Sequence, residues 1–104
     1  MTADDARRVA LALPQTEEKP HHGFPSWRVG GKIIATLPDE DHLQVMLEPE
    51  RIREAVAVAP ECCEEKWWGS TLSACRIRLS RIDEDALAPL LEDAWRRRAP
   101  ARLL

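Results

Sequence analysis

A chain of 104 residues and 11.8 kDa has the length of one domain, and 44% apolar with 32% charged residues argues against disorder. A formal net charge of −3 excludes a protein that attracts phosphate over its whole surface, while leaving room for a local basic face. No apolar run nears the ~20 residues of a membrane span, Met1-Thr2-Ala3-Asp4-Asp5 lacks the basic and apolar segments of a secretory signal, and three cysteines fit free thiols in a reducing compartment. The expected address is the cytoplasm, with no membrane partner.

Area scaling predicts a folded surface of roughly 5,900 Å², about one third of the unfolded chain's, so a core forms without disulfides or metal. Thr2 is a good N-cap with Asp5 three residues on. Ala6, Val9, Ala10 and Leu13 then recur at helical spacing until Pro14 stops the first helix. The stretch Lys19–Leu37 reads as a β-hairpin, entered through a loop marked by Pro20, Gly23 and Pro25 and turning at Val29-Gly30-Gly31-Lys32.

Two registers compete at that turn. A two-residue Gly-Gly turn pairs Val29 with Lys32. A three-residue loop with a bulge pairs Arg28 with Lys32 and Trp27 with Ile33. The second sorts the faces more cleanly and is the expected one. It turns Trp27, Ile33, Ala35 and Leu37 inward and Ser26, Arg28, Lys32, Ile34 and Thr36 outward.

After an acidic turn at Pro38-Asp39-Glu40-Asp41, His42–Leu47 alternates as a third strand, with Leu43, Val45 and Leu47 inward and Gln44 and Met46 outward. Glu48-Pro49 opens a second helix with Ile52, Ala55, Val56 and Ala59 on its buried stripe, and Pro60 ends it. A short edge strand is predicted near Glu64–Trp67. A last strand follows over Leu72–Leu79, where Cys75, Ile77 and Leu79 alternate with Ala74, Arg76 and Arg78. Ile82-Asp83 caps a final helix with Leu87, Leu90, Leu91, Ala94 and Trp95 inward. Pro89 should kink its first turns or delay its regular part. The predicted fold is α+β and two-layered, a five-stranded antiparallel sheet with helices on one face, in the order α-β-β-β-α-β-β-α.

The outer sheet face carries the candidate chemistry. Arg28 and Lys32 stand opposite each other in the bulged register, and Arg76 and Arg78 point outward from the last strand. If that strand neighbours the hairpin, four cations share one face and can hold phosphate. The competing reading is a solvated face with cross-strand ion pairs, worth little. His21 and His22 could contact phosphate at the rim or be plain loop residues.

Cys62-Cys63 lacks zinc-ligand spacing and Cys75 reads as core, so no metal site or cofactor is expected. No nucleophile and base are spaced to imply an enzyme. Trp67 and Trp68 alternate across the edge strand. The exposed one could stack on bases, or join Ile34 and Met46 in a protein-contact patch.

Residues throughout the chain resemble the MmcQ/YjbR-like family. They are Ala10-Leu11-Ala12-Leu13-Pro14, His22-Gly23-Phe24-Pro25-Ser26-Trp27-Arg28-Val29-Gly30-Gly31-Lys32, Ile77-Arg78-Leu79 and Leu91-Glu92-Asp93-Ala94-Trp95-Arg96. Leu72-Ser73-Ala74 departs from the aromatic that the family tends to carry early in the last strand. The resemblance implies a secretion-chaperone-like α+β fold and a small non-enzymatic DNA-binding domain. Arg28, Lys32, Arg76 and Arg78 would then contact phosphate, with His21 and His22 beside them. The alternative is a protein-interaction module or homodimer that uses an apolar sheet face.

Overall fold

The computed structural model describes residues 1–104. The elements follow as α1 (Ala3–Leu11), β1 (Glu17–His21), β2 (Phe24–Val29), β3 (Lys32–Thr36), β4 (His42–Val45), α2 (Pro49–Val58), β5 (Cys63–Trp68), β6 (Thr71–Arg78) and α3 (Glu84–Arg98). The strands make one antiparallel sheet in the order β1-β2-β3-β4-β6-β5. The α+β class, the antiparallel sheet and the three helices match the sequence reading, but the sheet has six strands rather than five. Its accessible surface of 5846 Å² agrees with the value expected for a fully folded chain of this mass.

The additional strand is β1, in the stretch read as a loop. Pro20 lies opposite Pro25, a pairing that an edge strand tolerates because its outer side needs no N–H donor. The turn into β2 is His22-Gly23, with both residues at positive φ (51° and 84°). Two-residue hairpins want that conformation, but the readable signal for it is Asn, Asp or Gly, and here the first position is a histidine.

The central turn corrects the expected register. Val29 pairs with Lys32 across Gly30-Gly31, whose φ values are 57° and 78°, so the tight two-residue turn is the one formed. The irregularity comes further along, between Trp27 and Arg28 on β2, where Arg28 pairs with Ile33 and Trp27 with Ala35. Ile34 is the extra residue, and both Ile34 and Ala35 are buried in the core while Ile33 is only partly covered. A bulge lets two consecutive residues serve the same core, which strict alternation forbids. The inward placement of Ile33 and outward placement of Ile34 are therefore reversed.

Helix ends follow local chemistry. The Thr2 hydroxyl accepts from Asp5 N at 3.2 Å while Thr2 N donates to Asp5 Oδ2 at 2.8 Å, and Asp83 Oδ1 accepts from Ala86 N at 2.9 Å at the start of α3. Helix α3 runs through Pro89 without interruption. The buried stripe Leu87, Leu90, Leu91, Ala94 and Trp95 holds that turn in place despite one missing backbone bond.

Helix α2 lies over β5 and β6, α3 over β3 and β4, and α1 packs on α3. Beneath them Trp27, Ala35, Val45 and Cys75 pair in turn across four strands, all fully buried. The indole of Trp27 still finds a partner, donating from Nε1 to Glu18 Oε1 at 3.1 Å. No helix is long and apolar enough to cross a membrane.

Candidate nucleic-acid interface

One residue along each strand, the opposite face carries a polar row. Lys19, Ser26, Thr36, Gln44, Arg76 and Glu64 pair successively across all six strands. Ser26 Oγ donates to the Lys19 carbonyl at 2.7 Å and accepts from Arg28 Nε at 3.3 Å. Thr36 Oγ1 approaches Gln44 Oε1 at 3.4 Å, and Arg76 Nε lies 3.3 Å from Glu64 Oε1. No helix covers this row, yet Ser26, Thr36 and Gln44 are buried. Thr36 and Gln44 form the floor of a depression rather than a flat surface.

That depression is a groove of about 230 Å³ running over β3 and β4. Thr36, Gln44, Pro38 and Met46 line it from below, His21, His22 and Phe24 from the β1–β2 turn, and Trp68 from the β5–β6 hairpin. Phe24 and Trp68 are 47% and 48% exposed, so each offers ring surface to a ligand. The His21 and His22 rings pack edge to face, 4.4 Å between centroids. His22 is held there by its left-handed backbone at the hairpin tip, a conformation uncommon outside glycine and typical of turns and functional sites.

The predicted cations are placed differently from expectation. Strand β4 separates the hairpin from β6, so Arg28 on β2 and Arg76 on β6 are three strand spacings apart, about 14 Å. Lys32 pairs with Val29 and takes the parity of the covered side at the hairpin tip, not a place opposite Arg28. The compact quartet therefore does not form.

A broader sorting replaces it. Lys19, Arg28, Lys66, Arg76 and Arg78 share the open face through strand parity, against only Glu17 and Glu64. On a chain of net charge −3 the strand residues of this face supply five cations and two carboxylates, with Glu61 as a further acid beside Arg76 and Arg78. Arg28, Lys32, Lys66 and Arg78 enter none of the molecule's ion pairs.

Sequence parity placed Thr36, Gln44 and Met46 outward, but it missed that they share one groove with Phe24. It also missed Lys19 and Lys66 as members of the basic face. The signal for Lys19 is its alternation with Pro20 and His21, masked by a proline within the strand and a histidine at the left-handed turn position. Trp67 and Trp68 do lie on opposite sides of β5, but neither is buried. Trp67 pairs with Leu72 at the edge and donates from Nε1 to Glu65 at 3.1 Å.

The thiols of Cys62 and Cys63 border this face without adding charge or a nucleophile to it. Cys62 and Cys63 lie with sulfurs 3.7 Å apart. Burial and its neighbour's hydrogen bond push Cys62 up to about 11, and a hydrogen bond to Cys75 together with burial pushes Cys63 up as well. Both stay protonated near neutral pH and are poor nucleophiles. No three His, Cys, Asp or Glu side chains stand where they could hold a metal ion together. His42 instead turns its Nδ1 toward Asp39, at 3.0 Å.

Comparison with known proteins places this architecture. None of the curated proteins matches the sequence. The crystal structure of Deinococcus radiodurans protein DR2400, described as a DUF419 domain, is similar over 90% of this chain and 75% of its own, with a TM-score of 0.72 at 21% identity. At that identity the likeness shows the fold alone. The model of the YjbR family matches residues 11–97, from the end of α1 to the last turn of α3. With most of its length matched, including the His22–Lys32 run and every strand, the chain belongs to the YjbR family.

Proposed function

We infer that this domain binds nucleic acid without catalysing a reaction, and that its ligand is a single-stranded segment laid across the open sheet face. The observation that carries the reading is the coincidence of two features on one surface. Five strand cations gather on the open side of an acidic protein, and in their midst lies a groove between Phe24 and Trp68 with an amide and a hydroxyl at its floor. Cations neutralise phosphate, and half-exposed aromatics stack on bases that a strand without a partner leaves free. The Gln44 amide both donates and accepts, which suits the hydrogen-bonding edge of a base. A duplex hides those edges, and its backbone would meet cations about 14 Å apart rather than a continuous ridge.

Arg28, Arg76 and Arg78 supply phosphate contacts in this reading, joined by Lys19 and Lys66. His21 and His22 close one end of the groove, and Lys32, which takes the parity of the covered side, contributes nothing to it.

Titration of the protein with a short single-stranded oligonucleotide and its duplex at low salt, read by tryptophan fluorescence and by calorimetry, tests this. Binding should favour the single strand and weaken with salt by roughly 0.7 log units per log unit for each phosphate neutralised. Trp68→Ala should weaken it by the loss of one stacked base, about 1–3 kcal/mol. Absence of single-strand binding, or binding indifferent to Trp68→Ala and to Arg28→Glu, rejects the reading. Self-association that consumes the same face, detected by light scattering and lost in the Trp68→Ala protein, would replace it with a homodimer.

A further inference from the structure

Beside the groove, on the other side of β4, lies a second depression of different chemistry. It measures about 140 Å³ and is lined by His42, Arg76, Arg78, Glu61 and Glu64 together with the Cys62–Cys63 wall and Pro60. The two sites share β4. Gln44 lines the groove and His42, two residues earlier on the same face, lines the cavity. Across the next strand boundary Gln44 pairs with Arg76 and His42 with Arg78. From Thr36 in the groove to Arg76 in the cavity is two strand spacings, about 10 Å.

The cavity holds unspent donors. Arg76 Nε is buried and makes no hydrogen bond, because its 3.3 Å approach to Glu64 is not aligned for one. A buried donor left without an acceptor is costly, and an incoming anion would relieve it. Arg78, free of any ion pair, stands two residues away on the same face. The depression, about 140 Å³ and open to solvent, is on the scale of one phosphate group rather than of an extended strand.

We propose that this cavity binds a terminal phosphate monoester, so that the domain recognises a phosphorylated strand end whose neighbouring base occupies the groove. This rests on the nucleic-acid reading of the open face. Arg76 and Arg78 grip the phosphate oxygens as charge-assisted donors, with His42 beside them. Glu64 is already engaged by Arg76. Glu61, exposed at the mouth, opposes the anion and limits its affinity.

The experiment uses the full chain and three single-stranded oligonucleotides of one sequence, carrying a 5′-phosphate, a 3′-phosphate or neither, with inorganic phosphate followed separately by NMR. One phosphorylated end should bind roughly tenfold tighter than the bare oligonucleotide. Arg78→Gln should weaken the bare oligonucleotide through its lost strand contact but the phosphorylated one roughly tenfold more, so that the advantage disappears, and Glu61→Gln should enlarge it. Equal affinity for all three overturns the terminal-phosphate site and leaves the groove reading standing. Binding of inorganic phosphate that Arg78→Gln abolishes, with no oligonucleotide bound at all, keeps the cavity and overturns the groove. Neither phosphate nor oligonucleotide binding overturns both.

Discussion

The two faces of this sheet are built from the same strands and differ by one residue of offset. On the covered side, Trp27, Ala35, Val45 and Cys75 pair across four strands beneath helices and are wholly buried. On the open side, their immediate neighbours Ser26, Thr36, Gln44 and Arg76 pair in the same way, and no helix lies over them. The covered row supplies stability by removing apolar surface from water. The open row is polar and only partly satisfied, with a 3.4 Å contact between Thr36 and Gln44 and a buried Arg76 donor without an acceptor. A surface that contributes little to folding and keeps unspent hydrogen-bonding capacity is suited to a ligand.

Substitutions on the two faces should therefore separate stability from binding. The largest effect is expected for Trp27→Ala, which opens a cavity in the covered row and leaves Glu18 with Arg7 as its remaining partner; urea unfolding should show a loss of about 3–5 kcal/mol. A loss below about 1 kcal/mol would remove the covered row from its central place.

Next comes Gly30→Ala. Its φ of 57° disfavours any side chain by about 1–2 kcal/mol, and the added methyl would come 2.8 Å from Pro100 Cγ. Gly31→Ala carries only the backbone cost, since nothing lies within 4 Å. Thermal unfolding should rank Gly30→Ala as the more damaging of the two, and equal midpoints would mean that the chain after α3 yields freely.

On the open side, Gln44→Leu should change stability by no more than about 1 kcal/mol, because the hydrogen bond it removes is long and the site accepts an apolar group. The same variant should weaken single-strand binding. A stability loss as large as that of Trp27→Ala would erase the contrast between the faces.

The smallest effect concerns pH. Asp41 accepts from the Ser80 hydroxyl at 2.9 Å and from Ser80 N at 2.8 Å, and these bonds hold its carboxyl below the usual range. A folded-state pKa below the unfolded one contributes stability above about pH 3.9 that is lost as pH falls through the folded value. The unfolding midpoint should drop on acidification below pH 4, and Asp41→Asn should make that drop shallower. An unchanged acid limb in the variant would show that the Ser80 contact is not what ties the β3–β4 turn to the end of β6.

Much of the layout is legible in the amino-acid sequence. Thr2 and Asp5, Pro49 and Asp83 announce the helix starts through cap chemistry, which is local. Alternation over β4 and β6 announced which residues face the core, and those assignments hold at Leu43, Val45, Cys75 and Ile77. The errors have one kind of cause. β1 hides behind Pro20 and a histidine in a left-handed turn position, where the usual signals are absent. The exchange of Ile33 and Ile34 came from placing the bulge at the turn rather than inside β3, where its cost is offset by burying one more large side chain.

Strand parity and helix boundaries depend on neighbours a few residues apart, so the amino-acid order alone determined a two-layer α+β domain with an apolar face and a polar one. Which strands lie side by side depends on contacts between distant segments, and only the tertiary structure decided it. By setting β4 between the hairpin and β6, the fold separated the expected cation cluster. The same placement put Phe24, Gln44 and Trp68 around one groove and His42, Arg76 and Arg78 around one cavity. Sheet order is a property of the packed whole, since each crossover is selected by the core it closes rather than by the residues it connects.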